Sequence, residues 1–121
     1  MTYEVKNQLR SKSVITVVGS GSQLITLSQL EADARESVQS ATITSVITST
    51  DGIWTIRRGN DSSGTLVLDL VGNQELLLSQ YDIAVSNGSS SNIYVTNSGS
   101  NGTLILTVSK NATYSPALTE I

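Results

Sequence analysis

The sequence contains neither cysteine nor histidine. Without cysteine there is no disulfide framework, thiolate metal site or thiol nucleophile. Without histidine the usual Ser-His-Asp triad, imidazole metal sites and the commonest general base are excluded. The many serines therefore lack their usual activating base. We expect a protein that is not an enzyme and that carries no cofactor and no metal ion.

Charge is also sparse. Charged residues make up 14% of the chain, the formal net charge is −3 and the sequence pI is about 4.7. This balance argues against a free-standing nucleic-acid binder. No apolar run approaches the roughly 20 residues of a membrane-spanning helix, and the N-terminus lacks the apolar segment of a secretory signal. We therefore expect a soluble protein with no nucleic-acid and no membrane partner.

The composition and the spacing of turns predict an all-β fold. The 121 residues fit one domain and include a single proline, with abundant serine and threonine. About eight short strands, separated by turn residues every 8–12 positions or so, favour an antiparallel β-sandwich or a jelly-roll-like barrel with one short helix. We divide the chain into an N-terminal strand or arm (1–12), a β-sandwich domain (13–110) and a C-terminal tail (111–121).

The stretch Thr50–Leu70 predicts the central hairpin. Asp51-Gly52 is a turn dipeptide in which glycine accepts a positive φ. Alternation then places one apolar set on each strand facing the core: Trp54 and Ile56, with Arg58, on the first, and Leu66, Leu68 and Leu70 on the second. The loop between them, Gly59–Gly64, is rich in turn residues.

Other strands follow from the same alternation. Ala41–Thr50 predicts a strand with Val46 as the exception on its polar face. Tyr81–Val85 predicts a short strand. The side chains predicted to face inward elsewhere are Ala41, Ile43, Ser45 and Ile47, then Ile93 and Val95, then Leu104, Leu106 and Val108.

Two local patterns complete the predicted fold. Gly19–Ser22 is interpreted as a hairpin-like loop, and it lacks the lysine and the helix that a phosphate-binding loop requires. Ser28 and Glu31 form a capping-box pattern that predicts a helix over Gln29–Glu36.

The N-terminal segment Thr2–Lys12 is amphipathic and is the most basic part of the chain. Two interpretations stay open: a solvated edge strand protected by its charges, or a segment that docks on a partner or adds a strand to a neighbour. Under the second, the candidate partner or subunit contacts are Tyr3, Val5, Lys6, Leu9, Arg10 and Lys12.

Weaker site hypotheses rest on single features. Asn60–Ser62 or Asn87–Asn92 could bind calcium through oxygen atoms, although neither has the spacing of a known calcium loop. Trp54 and the tyrosines could form a sugar-stacking platform, but scattered aromatic residues are more often core residues.

Residues 41–110 resemble a group of small structural proteins of tailed bacteriophages, especially marine ones. The resemblance rests on a Thr/Ile-rich strand, on W-T-I-x-R-G at Trp54–Gly59, on the leucine-rich strand Leu66–Leu70 and on G-T-L-I-L-x-x-x-K at Gly102–Lys110. It departs from the pattern at Asp61–Gly64, which lengthens the hairpin loop.

This resemblance implies a virion protein. The implied role is capsid decoration or cement on the exterior of the head, with the major capsid protein as partner and a homo-oligomer, a trimer above all, as the assembled form. Two alternatives are a tail, neck or fibre-associated virion component and a carbohydrate-binding β-sandwich module.

Overall fold

The computed structural model describes residues 1–9, 12–31, 36–78 and 90–114, with the side chains of residues 6–9 and 114 left out. The described part contains nine strands and one 3-10 helix, which covers Leu27–Leu30. The strands are β1 (Thr2–Leu9), β2 (Lys12–Val18), β3 (Gly21–Ile25), β4 (Glu36–Thr50), β5 (Ile53–Arg58), β6 (Thr65–Val71), β7 (Gln74–Leu77), β8 (Ile93–Asn97) and β9 (Gly102–Tyr114).

The strands form two antiparallel sheets, one of five strands in the order β1-β2-β9-β4-β7 and one of four in the order β3-β8-β5-β6. Strands β2 and β9 pair, as do β3 and β8, β4 and β7, and β5 and β6. This nesting is that of one long antiparallel hairpin rolled up on itself, which is a jelly roll. The all-β prediction is confirmed, and β1 is an additional edge strand on the larger sheet.

The core lies between the two sheets. Trp54, Ile56, Ile93 and Val95 from the smaller sheet are fully buried, and so are Leu104 and other inward residues of the larger sheet. Alternation predicted these inward positions in β5, β8 and β9 correctly, because those stretches are regular and expose every second side chain to one face.

The inward face of β4 differs from the prediction in its second half. Ile43 is buried as expected, but Ile47 is 41% exposed and Val46 is fully buried. A register shift in the pairing of β4 with β9 lies between Ile43 and Ser45. The extra residue at Thr44 is a β-bulge that changes which side chains face the core, and the Thr44 hydroxyl donates to the Thr107 carbonyl at 3.2 Å.

A second register shift makes the prediction for the inward residues of β6 wrong at Leu66. Leu70 is buried, but Leu66 is 49% exposed. The pairing with β5 shifts between Ile56 and Arg57, so that Leu68 lies opposite Ile56 and Leu66 opposite Arg57. Leu66 therefore shares the outer face with Arg57 instead of the core face with Ile56.

Gly19–Ser22 does not close a hairpin. It carries the chain from β2 in the larger sheet to β3 in the smaller sheet. Gly19 has φ +117, and its amide donates to the Gly102 carbonyl at 2.9 Å. A residue with a side chain would be strained in this conformation, so the glycine is required by the crossing.

The predicted helix over Gln29–Glu36 is replaced by the shorter 3-10 helix. The Thr26 amide donates to the Gln29 side-chain oxygen at 2.9 Å, so the cap lies two residues before the predicted Ser28. Glu36 is the first residue of β4, and residues 32–35 lie outside the described ranges. No helix in the described ranges is long and apolar enough to cross a membrane.

The segments predicted to flank the sandwich domain, residues 1–12 and 111–121, also contribute to strands. Strand β1 pairs with β2 of its own chain, and β9 continues to Tyr114, where it pairs with Glu36. The first four residues of the segment interpreted as a tail are thus part of a strand. The predicted strand Tyr81–Val85 and residues 115–121 lie outside the described residues.

Candidate functional site

Strand β1 forms one edge of the five-stranded sheet. Its regular part pairs with β2 from Thr2 opposite Val18 to Lys6 opposite Val14, and the register shifts between Lys6 and Leu9. Its other side is joined to no strand in the described part of the chain. An edge strand presents backbone N–H and C=O groups that another strand could bind, so this edge is a candidate interaction site.

The six predicted contact residues take different places around this edge. Tyr3 and Val5 are partly buried and pack against the core, while Lys12 is exposed at the start of β2. Lys6 and Leu9 belong to β1, but their side chains are outside the description, and Arg10 lies outside the described ranges altogether. The structure thus turns Tyr3 and Val5 inward and leaves Lys12 exposed to a partner.

The outer face of the larger sheet carries a surface without charge, which we call the neutral face. Its residues form rows across β2, β9 and β4 that the register defines, with side chains that alternate with the buried ones. The rows are Val18–Thr103–Ser49, Thr16–Ile105–Ile47 and Val14–Thr107–Ser45. Val18 is 46% exposed. Such uncharged, partly apolar area suits contact with protein better than with nucleic acid.

The outer face of the smaller sheet has a different chemistry. Arg57 lies opposite Tyr94 and Leu66 on the neighbouring strands, and its guanidinium donates to the Gly64 carbonyl at 3.0 Å. Next to this row, the Thr55 hydroxyl donates to the Asp69 carboxylate at 2.7 Å. Arg57 and Tyr94 are half-buried and Leu66 is exposed; arginine and tyrosine are enriched among the residues that carry protein–protein binding energy.

Two cations, Arg58 and Lys110, are buried. The Arg58 guanidinium donates to the carbonyls of Ala41 and Ser91, each at 2.6 Å, and burial lowers the pKa of Arg58 to about 10, so that it stays charged at neutral pH. The Lys110 amine donates to the Glu36 carboxylate at 3.1 Å and to the Leu30 carbonyl at 2.8 Å, with both charged side chains fully buried. Arg58 thus links the smaller sheet to β4 of the larger sheet and to Ser91, and Lys110 links β9 to β4 and to the 3-10 helix.

Sequence reasoning missed this ion pair, although a signal for it exists. Lys110 follows Leu104, Leu106 and Val108 at the same two-residue spacing, so alternation places it on the core face. Burial of a charge requires a partner. The partner, Glu36, could not be inferred because it was assigned to a helix.

A polar junction joins the turns at one end of the sandwich. The Asp51 carboxylate accepts the Ser100 amide at 2.9 Å and also accepts the Ser100 hydroxyl. The Asn97 amide donates to the Gly19 carbonyl at 2.8 Å. The Ser100 hydroxyl, followed by the Asn101 amide, holds the pKa of the Asp51 carboxyl below its usual value.

Gly52 allows the backbone of its turn to approach the backbone of the turn at Gly99. It is not among the described glycines with positive φ, which corrects the prediction. A Cβ atom at this position would overlap the backbone nitrogen of Gly99, so the two turns pack backbone against backbone.

The weaker site hypotheses find no support in the described residues; residues 87–89 of the second calcium candidate, Tyr81 and the side chain of Tyr114 lie outside the description. The Asp61 carboxylate accepts the Ser63 amide at 2.9 Å, and the Ser63 hydroxyl lowers the pKa of Asp61. No group of three metal-binding side chains occurs among the described residues. Trp54 is fully buried and its indole N–H lies 3.4 Å from the Ser49 carbonyl, so it offers no face to a sugar ring.

Comparison with known proteins adds distant likenesses only. No protein family matches the sequence, and no curated protein matches it. Among solved structures, Peruvianin-I, a cysteine peptidase from Thevetia peruviana latex, has 12% identity and a TM-score of 0.41 over 86% of this chain and 55% of its own. This chain thus spans about half of that protein.

Two further solved structures show similar values. An RmlC-like cupin protein from Desulfovibrio desulfuricans has 8% identity and a TM-score of 0.42, covering 89% of this chain and 80% of its own. The coconut allergen cocosin has 15% identity and a TM-score of 0.42, covering 92% of this chain and 27% of its own.

One open depression lies near the polar junction. It has a volume of about 420 Å³ and is lined by Val18, Ser49–Asp51 and Asn101–Thr103. Asp51 is the one ionisable residue in this lining, and its carboxylate already accepts hydrogen bonds from Ser100. A pair of carboxylates, which glycoside hydrolysis requires, is not brought together here.

Proposed function

We propose that this chain is a non-enzymatic structural protein of a bacteriophage virion that decorates the outer surface of the head, with the major capsid protein as its partner. The observation that carries the proposal is the place of the residues behind the resemblance. Trp54, Ile56, Arg58 and Lys110 are all buried, so the shared pattern describes one core and its hydrogen-bonded cations. A resemblance at buried positions supports a fold in common with the phage proteins more than a binding surface in common with them.

The fold is compatible with this role without being specific for it. Jelly rolls occur in viral capsid proteins, lectins and cupins alike, and fold alone does not define function. The absence of histidine and cysteine from the sequence agrees with a role that needs no catalytic group.

The surfaces support assembly with other proteins. The neutral face offers exposed Val18 and Ile47, and β7 adds Leu77, which is 52% exposed. Lys12 lies opposite Ser109, at the margin of this face. We propose that Lys12, with Lys6 and Arg10 of the same basic segment of the sequence, supplies positive charge toward an acidic capsid exterior, where many symmetry-related copies strengthen weak single contacts.

Binding to heads tests the proposal. Heads assembled from the major capsid protein of the same genome are mixed with the purified chain and sedimented. We expect the chain to sediment with heads at a fixed, saturable ratio. Recovery with tails or tail fibres, and not with heads, would contradict decoration and favour the tail-component alternative.

The contribution of the basic segment to head binding is better tested by a substitution than by deletion of the segment. Removing residues 2–12 would strip Tyr3 and Val5 from the core and confuse loss of fold with loss of binding. Lys12→Glu changes an exposed residue instead. We expect weaker head binding than with the control Ser62→Glu, which adds a negative charge at an exposed position of the β5–β6 loop; equal binding by both variants would remove the basic segment from the contact.

A further inference from the structure

We propose that the outer edge of β1, which pairs with no strand in the described part of the chain, pairs with β1 of a second copy of this chain, in antiparallel orientation about a two-fold axis at Val5. This goes beyond the proposed function and does not depend on it. The edge strand is eight residues long, and in the described part of the chain it lies at the end of its sheet. Addition of a strand at such an edge supplies main-chain hydrogen bonds.

The register follows from charge. In an antiparallel pair of two identical strands related by a two-fold axis, the side chains of opposite residues lie on the same face of the sheet. One residue must therefore lie opposite its own copy, and the axis passes midway between these two copies. With the axis at Val5, Glu4 of each copy lies opposite Lys6 of the other, which gives two pairs of opposite charge. Directly opposite unlike charges stabilise a sheet.

The neighbouring registers are worse. An axis at Glu4 places Glu4 opposite itself, and an axis at Lys6 places Lys6 opposite itself; like charges in these positions destabilise the pair. An axis at Tyr3 avoids the conflict but brings no unlike charges together. Charge therefore selects Val5 among the registers that use the regular stretch Thr2–Lys6.

The shape of the edge is consistent with a short interface. The irregularity between Lys6 and Leu9 limits the regular pairing to the residues around Val5. Tyr3 and Val5 pack on the core from the inner face, which fixes the strand against its own sheet. The two-fold axis stands perpendicular to the sheet, so the five-stranded sheets join edge to edge and the two neutral faces lie on one side of the dimer.

The test uses two variants of the full chain, Glu4→Lys and Lys6→Glu. Each puts like charges at both pairing positions of its own homodimer. Mixed with one another, the two variants restore both unlike pairs across the interface. Glu75→Lys and Lys12→Glu are matched controls, because each makes the same charge change at an exposed position outside β1.

Sedimentation velocity from micromolar to about millimolar concentration gives the dissociation constants. We expect a reversible dimer for the wild-type chain and both controls, dimers weakened by about tenfold or more for each variant alone, and recovery of dimer in the equimolar mixture. Recovery cannot arise from contacts within one chain. Fluorescence of the buried Trp54 checks that each variant is folded.

Three results would overturn the proposal: a wild-type chain that stays monomeric at every concentration, a trimer, or variants that fail to dimerise when mixed. A monomer would mean that the charges and the irregularity of β1 protect the edge. Head binding measured on the same samples keeps the two proposals apart, because a monomer or trimer that binds heads refutes only this pairing.

Discussion

At the scale of single residues, Lys110 and Glu36 form a buried ion pair in the described core. Both side chains are fully buried, and the Lys110 amine also donates to the Leu30 carbonyl. That carbonyl accepts a second hydrogen bond, at 3.3 Å, from the Ser13 hydroxyl. The cluster ties β2, β4 and β9 to the end of the 3-10 helix, so its charges have a structural task.

Lys110→Met is expected to lower the free energy of unfolding by about 3–5 kcal/mol, since it leaves the Glu36 carboxylate buried without its cation. The double variant Glu36→Met/Lys110→Met removes both charges and should recover much of that loss. Urea denaturation measures both, with Lys12→Met as the exposed control. A double variant no more stable than Lys110→Met would show that the loss does not come from the Glu36 carboxylate left without Lys110.

Asp51, in the polar junction, makes the stability of the fold depend on pH. Its pKa is lowered in the folded protein, chiefly by the Ser100 hydroxyl, so the folded state binds its proton less readily than the unfolded chain. The stabilising contribution is therefore fully present above the ordinary pKa of about 4 and is lost as the pH falls through the lower folded pKa.

Asp51→Asn should accordingly flatten the curve of stability against pH below about pH 4. Ser100→Ala, which removes the principal donor but keeps the carboxyl, should produce part of the same flattening. Thermal unfolding between about pH 2 and 7 measures the curves. A curve for Asp51→Asn that is parallel to the wild-type curve would exclude this role.

At the scale of elements, the bulges decide how far the sequence predicts the structure. Alternation predicts the inward residues wherever a strand is regular, as at Ile93 and Val95. It fails at Ile47 and Leu66, because one extra residue at Thr44 and at Val67 reverses the faces beyond it. The extra residue is defined by the partner strand, which no local pattern contains.

Deletion of Thr44 should be tolerated. Ile43 and Ser45 already lie opposite Val108 and Thr107, consecutive residues of β9, so removing the bulge leaves a regular pair and costs about 1 kcal/mol for the lost hydroxyl hydrogen bond. Deletion of Thr16 from the regular strand β2 is the control and should unfold the protein, because Ile15 or Val17 must then leave the core. Circular dichroism with urea denaturation measures both.

The β1 edge and the neutral face could be predicted only in part, because both depend on which strands become neighbours in the sheet. The amphipathic pattern of residues 2–12 left open a protected edge strand or a docking segment, and in the described part of the chain β1 lies at the edge of its sheet. The pattern could not tell that Tyr3 and Val5 would pack on the core of their own chain, since this depends on β2 being the neighbour. The neutral face was also missed, because its rows join residues from β2, β4 and β9.

At the scale of the whole molecule, the two sheets share one core. Trp54 comes from the smaller sheet, and the buried cluster that contains it includes Leu104, Leu106 and Val108 of the larger sheet. Neither sheet can keep its apolar face from water without the other. The described fold is therefore expected to unfold as one cooperative unit.

Fluorescence and circular dichroism test this cooperativity. Trp54 is the only tryptophan and is fully buried, so its emission should be blue-shifted in the native protein and should shift to the red on unfolding. The urea transition followed by fluorescence should coincide with that followed by far-UV circular dichroism. Separate midpoints would mean that the sheets lose their structure in different steps.

The central place of β9 has a consequence for synthesis on the ribosome. Strand β9 lies between β2 and β4 and completes the middle of the larger sheet, yet it is translated after both. At about 5–20 residues per second, β4 waits on the order of several seconds with its pairing edge uncovered. The nascent chain is thus open to chaperones, and to wrong partners, until the segment Gly102–Tyr114 has left the exit tunnel.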